Sequence, residues 1–326
     1  MEWQSDILGP GFESCAFDAA GADGIRRRAT LVRFTPPDSP DTPDERPAGP
    51  RRAVLFLHGW SDYFFNVELA RFWDAQGFDF FALDMHNHGR SLQPGAPGGY
   101  VADLGNYDAE IRTAVGMISE PGGPGGVQLT LMGHSTGGLV AALWASRNPG
   151  AVSQLVLNSP WLEMHGSSLV RRAAWTMVGP IARLRPEAVI RLPERGFYWR
   201  SISNAAEGEW TLDAAYRPPL AFPVRAAWLS AVLAGQAKVA RGLGIGIPIL
   251  VLLSAASENG MVWNEEMRRT DAVLDVNTIA ARAISLGTSV TVERIDGALH
   301  DVFLSGADVR ADAYGRLARW LRGYGG

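Results

Sequence analysis

Two kinds of apolar pattern alternate along the chain, and the alternation predicts its architecture. Continuous apolar runs recur at Ala53-Val54-Leu55-Phe56-Leu57, Phe78 to Leu83, Val127 to Met132, Val152 to Leu157 and Ile247 to Leu253. Runs this short, without polar alternation, mark strands covered on both faces, as in a parallel sheet. Between them, Phe64 to Gln76, Asp103 to Ser119 and Leu139 to Arg147 have helical composition and spacing, the last stopped by Pro149. Strand, helix and strand in turn imply βαβ units. Ahead of this rhythm, Phe12 to Phe17 and Arg28 to Phe34 flank a Gly/Asp-rich turn and predict an antiparallel edge hairpin. Behind it, Ser289 to Ile295 predicts a last strand. A closing helix over roughly Ala307 to Arg322 follows, with Leu317, Trp320 and Leu321 on its apolar face.

The rhythm is interrupted twice. From Pro36 to Pro50 prolines crowd among Asp, Glu and Gly, a composition that cannot bury enough apolar area to fold and predicts an exposed, mobile loop. From Trp161 to about Ala240 no buried strand is legible, while aromatic residues accumulate and Pro180, Pro186, Pro193, Pro218, Pro219 and Pro223 break the helices. The expected organisation is therefore an α/β core made of residues 1–160 and 241–326, with residues 161–240 inserted as a largely helical lid.

The chemistry concentrates where Val127 to Met132 runs into Gly133-His134-Ser135-Thr136-Gly137. A strand that reverses into a helix within five residues brings backbones too close for a Cβ at either flank, which explains both glycines and leaves Ser135 strained, with its hydroxyl lifted clear of the sheet. A serine hydroxyl is a poor nucleophile at neutral pH. It needs an imidazole as base, itself held by a carboxylate. Of the six histidines, His58, His86, His88, His134 and His165 lie in earlier loops, in the turn itself or in the insertion. Only His300 follows the final strand, in chain order after the serine, as such a base should. For the acid, the residues alone leave Glu258, Glu265, Glu266, Asp271 and Asp275 open.

With 326 residues, the chain has room for one large α/β domain with an insertion. The net charge is −4 and the 30 Lys and Arg are scattered apart from Arg26-Arg27-Arg28, so no face for nucleic acid is expected. A single cysteine, Cys15, excludes an internal disulfide and suits a reducing compartment. Neither a signal-peptide core after Met1-Glu2-Trp3-Gln4-Ser5-Asp6 nor any run of 18 apolar residues is present. A cytoplasmic protein without stable membrane insertion is the expectation, with a homodimer possible. His86-Asn87-His88 lacks a third ligand for a metal, and the Gly-rich segments lack the spacing of a phosphate cradle, so neither metal nor cofactor is expected.

These motifs together resemble the α/β-hydrolases of the monoacylglycerol lipase and lysophospholipase-like group. The residues that carry the resemblance are His58-Gly59-Trp60, Asp84 with His88-Gly89-Arg90-Ser91, the Gly133 to Gly137 turn, and His300; Asn87 stands where the group usually has glycine. The resemblance implies an α/β-hydrolase fold, a mostly parallel sheet flanked by helices. It implies Ser135, Asp271 and His300 as a triad, and an oxyanion hole made by the backbone N–H groups of Trp60 and Thr136. Asp271 fits the group's acid segment through Asp271-Ala272-Val273-Leu274-Asp275-Val276, but it comes 18 residues after Leu253, so Asp275 and Glu258 stay as alternatives.

The implied activity is a serine hydrolase cleaving carboxylic esters through an acyl-enzyme. The same triad would also serve an acyltransferase, thioesterase or lactonase, and a catalytically silent ligand-binding protein could keep the same pocket. Because the lid carries Trp161, Trp175, Trp199, Trp210 and Trp228, the expected substrate is a small, apolar ester of short to medium acyl length. His58, His134, Trp161 and Trp199 are the candidate pocket residues.

Overall fold

The computed structural model describes residues 2–21, 23–36, 50–120, 126–164, 177–191 and 195–324. Most of the proline-rich stretch, together with His165 and Trp175, therefore lies outside the described residues. Among these residues nine strands form one sheet: β1 (Gln4–Ser5), β2 (Phe12–Ala20), β3 (Arg26–Phe34), β4 (Arg51–Leu57), β5 (Asp79–Asp84), β6 (Val127–His134), β7 (Gln154–Asn158), β8 (Ile249–Ser254) and β9 (Val290–Ile295). Their spatial order is β1-β2-β3-β5-β4-β6-β7-β8-β9. From β5 to β9 every pairing is parallel, whereas β1, β2 and β3 pair antiparallel, and β3 joins β5 antiparallel.

The continuous apolar runs are explained by cores on both faces. Along β4, Ala53, Leu55 and Leu57 enter one core while Val54 and Phe56 enter the other. In β8 the same alternation sends Val251 and Leu253 one way and Leu250 and Leu252 the other. The first core is closed by the helices Asp108–Ser119 and Thr136–Arg147, through Ile111, Ala114, Leu139 and Trp144. The second is closed by Val67–Ala75 and the final helix Ala307–Tyr324, through Trp73, Leu317 and Trp320.

Where boundaries differ from the sequence reading, side-chain caps decide them. The first helix begins at Val67 rather than Phe64 because the Asn66 side chain accepts from the Leu69 N–H, which leaves residues 61–66 irregular. The segment from Asp103 opens as a tight turn, Leu104–Tyr107, capped by Asp103, and becomes an α-helix only at Asp108. In the inserted region the described residues form helices at 177–184, Phe197–Ile202 and Ala226–Ala240, tied by isolated bridges between Val189 and Arg225 and between Ser203 and Trp210. No helix among the described residues is long and apolar enough to cross a membrane.

One charged cluster fixes the chain beside the sheet's active edge. Arg90 makes two 2.7 Å bonds to Asp6, a third of 2.7 Å to Asp84, and a fourth to the Phe64 carbonyl at 3.1 Å. The side chains of Asp6 and Asp84 are buried and that of Arg90 is 7% exposed, and the other Asp84 oxygen accepts from the Phe64 N–H at 2.9 Å. Replacing Arg90 leaves two carboxylates buried without their counter-charge, which costs far more than the intact cluster contributes. Arg90→Ala is expected to lower the unfolding free energy by about 3–5 kcal/mol in urea titrations; a loss under about 1 kcal/mol would show that water replaces the guanidinium.

Candidate active site

The site is built at the ends of three parallel strands. β6 delivers Ser135 on a turn so tight that the serine adopts φ 52° and ψ −118°, a left-handed conformation that costs free energy for any residue with a Cβ. Two glycines make the turn possible. A Cβ on Gly133 would sit 2.5 Å from the Gly137 carbonyl, and one on Gly137 would sit 2.5 Å from the Leu57 carbonyl. The turn is held from outside as well, because Ser135 N–H donates to the Asn158 carbonyl at 3.0 Å and the Ser135 carbonyl accepts from Trp161 N–H at 3.0 Å.

The loop after β9 brings His300 to this serine. Its Nε2 lies 3.0 Å from Ser135 Oγ and its Nδ1 lies 2.9 Å from Asp271 Oδ2. Asp271 is fully buried. Its second oxygen accepts from the Val273 and Leu274 N–H groups at 2.8 Å each, so the carboxylate is held on both sides. This arrangement sets the imidazole with Nδ1–H donating to the acid and Nε2 free to accept from the serine.

The alternative acids are engaged elsewhere. Asp275 caps the helix Val276–Ala283 by accepting from the Asn277 and Thr278 N–H groups, and Glu258 accepts from Gly260 N–H at 2.8 Å. The delay after β8 is spanned by a loop that bridges back, Ser257 pairing with Asp271, which returns the acid to the sheet edge.

The other histidines divide by location. His58 is buried: its Nε2 accepts from Met85 N–H at 3.1 Å, so its Nδ1 carries the proton donated to the Gly59 carbonyl at 2.6 Å. It stands beneath the cavity, not in its wall, and both ring nitrogens serve the main chain. His86 pairs with the buried Glu110, and His88 donates to the His86 carbonyl at 3.0 Å. His134 does line the cavity, with its ring centroid 4.9 Å from that of His300. Burial pushes His134 down to about 4, against the opposing pull of Asp301, so it is neutral near pH 7. Burial likewise holds His88 well below its ordinary value.

Ser135 opens into a cavity of about 950 Å³ whose walls include Trp161, Trp199 and Trp228. Trp210 packs elsewhere, donating its indole N–H to the Leu304 carbonyl at 2.9 Å. The two residues whose amides are expected to form the oxyanion hole, Trp60 and Thr136, both line this cavity. Thr136 opens its helix, so its N–H has no carbonyl within that helix to bond. On the other side, the Gly59 backbone comes so near that a Cβ there would meet the Ser135 Cβ at 3.4 Å.

Several polar residues at the site had only weak signals in the sequence. Asn158 ends β7 and donates to Asp301 at 2.6 Å, and its side-chain oxygen accepts from Val302 N–H at 3.2 Å, which ties the His300 loop to the residue whose carbonyl holds the Ser135 turn. Tyr198 meets the His300 ring edge-on at 5.1 Å. Asp62 and Arg217, which are 155 positions apart, form a buried ion pair of 2.7 Å in the cavity wall.

A family model described as serine aminopeptidase, S33, matches residues 48–305, which include the elbow, Asp271 and His300. The monoacylglycerol lipase of Mycolicibacterium smegmatis is 31% identical over 161 residues, 47% of this chain and 55% of that protein. The match thus spans about half the length of that curated relative. Among solved structures, a thermostable carboxyl esterase from Bacillus coagulans in complex with glycerol superposes with a TM-score of 0.65 at 15% identity, covering 97% of this chain and 99% of its own. A soluble variant of monoglyceride lipase from Saccharomyces cerevisiae, in complex with a substrate analog, gives 0.60 at 15% identity, covering 95% and 96%. These likenesses show the fold.

A neutral, buried His134 has a consequence for stability. Its folded value of about 4 lies below the ordinary 6.5, so between those values the unfolded chain binds the extra proton. The associated stability is complete above pH 6.5 and is lost as pH falls toward 4. Denaturant titrations at pH 7.5 and pH 5 are expected to show His134→Gln losing about 2 kcal/mol less than the wild type across that interval. Equal losses in the two proteins would assign the pH dependence to other groups.

Proposed function

The chain belongs to the serine aminopeptidase S33 family of α/β-hydrolases, and on that premise we propose that it is a serine hydrolase that cleaves small carboxylic esters through an acyl-enzyme. The observation that carries this reading is the unbroken chain of contacts from Ser135 Oγ to His300 Nε2 and from His300 Nδ1 to Asp271, opening on a cavity.

Each residue has one role in the mechanism. Ser135 Oγ attacks the acyl carbon while His300 Nε2 takes its proton, and Asp271 stabilises the imidazolium that forms. The carbonyl oxygen becomes an oxyanion, accepting from the N–H groups of Trp60 and Thr136. As the intermediate collapses, His300 returns the proton to the departing alcohol and leaves an ester on Ser135. Water then repeats the sequence, His300 taking its proton, and releases the carboxylic acid. Neutral His134 beside the base adds no second positive charge when His300 is protonated.

For the substrate, the tryptophan-lined wall favours an uncharged, apolar acyl group, since burial gains about 0.8 kcal/mol per methylene. A short to medium acyl ester, monoacylglycerol-like in kind, suits that wall. The named activity of the Mycolicibacterium smegmatis relative supports the same class.

Two measurements test the reading. Ser135→Ala is expected to fold normally and lose about 10⁴- to 10⁶-fold in kcat, and Asp271→Asn about 10⁴-fold, while Asp275→Asn and Glu258→Gln keep near-normal rates. Turnover by Ser135→Ala would sink the mechanism; loss in Asp275→Asn with retention in Asp271→Asn would reassign the acid. In a panel of soluble p-nitrophenyl esters, kcat/KM is expected to rise several-fold from acetate to butyrate or hexanoate. A flat profile, or a preference for charged acyl groups, would rule out the apolar pocket.

A further inference from the structure

The segment that carries the Trp60 amide has no secondary structure of its own. Between the end of β4 at Leu57 and the helix that begins at Val67, neither a sheet ladder nor a helix fixes the direction of its N–H groups. A donor that is to stabilise a transient oxyanion must already point at it. Something outside the segment has to hold it.

From below, the hold is His58, with its bonds to Gly59 and Met85. From above, four consecutive side chains grip the inserted region. Trp60 stacks on Trp228 with ring centroids 4.5 Å apart. Ser61 Oγ accepts from Phe222 N–H at 2.9 Å. Asp62 accepts from Arg217 at 2.7 Å, and the Tyr63 hydroxyl accepts from Asp213 N–H at 3.0 Å. Ser61 adopts φ 54°, a left-handed conformation that persists in a residue with a Cβ only when its surroundings over-determine it.

The Asp62–Arg217 contact is the strongest of the four. It is charge-assisted, and both side chains are buried, with 5% of Asp62 and 6% of Arg217 exposed. The same guanidinium lies 5.0 Å from the ring centroid of Tyr198, the ring that meets His300. The Asp62 side chain also holds its own segment, since its Oδ1 accepts from Tyr63 N–H at 2.9 Å. A pull on Asp62 is therefore transmitted to the Tyr63 backbone, three residues from the Trp60 amide.

We propose that Arg217 is a positioning residue for the oxyanion hole: from the inserted region it holds Asp62 and, through residues 60–63, fixes the direction of the Trp60 N–H. The inference rests on the serine-hydrolase reading above.

The test is the second-order rate of phosphonylation of Ser135 by a compact fluorophosphonate, which needs the same oxyanion donors but carries no group that reaches Arg217. It is read beside kcat and KM for p-nitrophenyl butyrate and the thermal midpoint. Arg217→Gln is expected to slow phosphonylation and kcat together by about 10- to 100-fold, with KM within about threefold of the wild type. Arg217→Lys should restore a large part of both rates. The Asp62→Asn/Arg217→Gln double variant, which leaves no buried charge unpaired, should regain the thermal stability that the single variant loses without regaining the rates.

Rates that return with stability in the double variant would reduce the pair to a structural role, and a rise in KM alone would make Arg217 a substrate contact; either overturns the proposal. Failure of the underlying reading looks different, because wild-type Ser135 would then take no phosphonate at all.

Discussion

The backbone of Gly137 lies so close to the end of β4 that no side chain fits between them. A Cβ there would stand 2.5 Å from the Leu57 carbonyl. Because two main chains touch, the distance between the Ser135 turn and the His58-Gly59-Trp60 segment is set by backbone geometry, which has little freedom to drift. The rest of the site is adjusted to that fixed separation. Ser135 accepts a strained conformation, His58 braces the segment from below, and the inserted region braces it from above. The strain is tolerable because β6 sits mid-sheet between β4 and β7, where pairing on both sides leaves the strand end no room to relax.

How much of this was legible follows from how local each signal is. The central strands were plain because burial on both faces erases polar alternation, and Ser135 was plain because its glycines are demanded within five residues. His300 could be found from chain order. Asp271 was harder, since the loop after β8 returns to the sheet through the Ser257–Asp271 bridge, which no local pattern announces. The resemblance supplied it. His58 was misplaced as a pocket residue because a histidine at a strand end looks the same whether its ring faces a ligand or the main chain; here both nitrogens bond to backbone. The Asp62–Arg217 pair had the weakest signal, for its members are 155 residues apart and neither belongs to a periodic element. Trp210 shows the opposite limit. Its residue type suited a pocket wall, yet its indole bonds to Leu304, outside the cavity.

Polar groups beneath the site are bonded to one another. Arg90 joins Asp6 and Asp84, Glu110 holds His86, and Asn158 holds Asp301. Such clusters contribute modestly when intact and cost heavily when broken, so they favour one arrangement of the loops at the sheet edge over near alternatives. That selectivity matters at this edge more than elsewhere, because the loops there have few ladder hydrogen bonds to fix them beyond the Ser257–Asp271 bridge. The apolar cores supply the stabilisation, while these buried networks decide which loop geometry is stabilised.

The sheet order also has a consequence for the time at which the site comes into being. Ser135 and the imidazole it meets are 165 residues apart, and the strands that bring them together, β6 and β9, are separated by β7 and β8. During synthesis the Ser135 hydroxyl would emerge long before His300, and the sheet edge beside β7 would stand open until β8 and β9 arrive to cover it. Contacts of such long sequence separation make for slow closure and a period of exposed strand edge. On the proposed mechanism, Ser135 therefore lacks the imidazole that would activate it until β9 has completed the sheet.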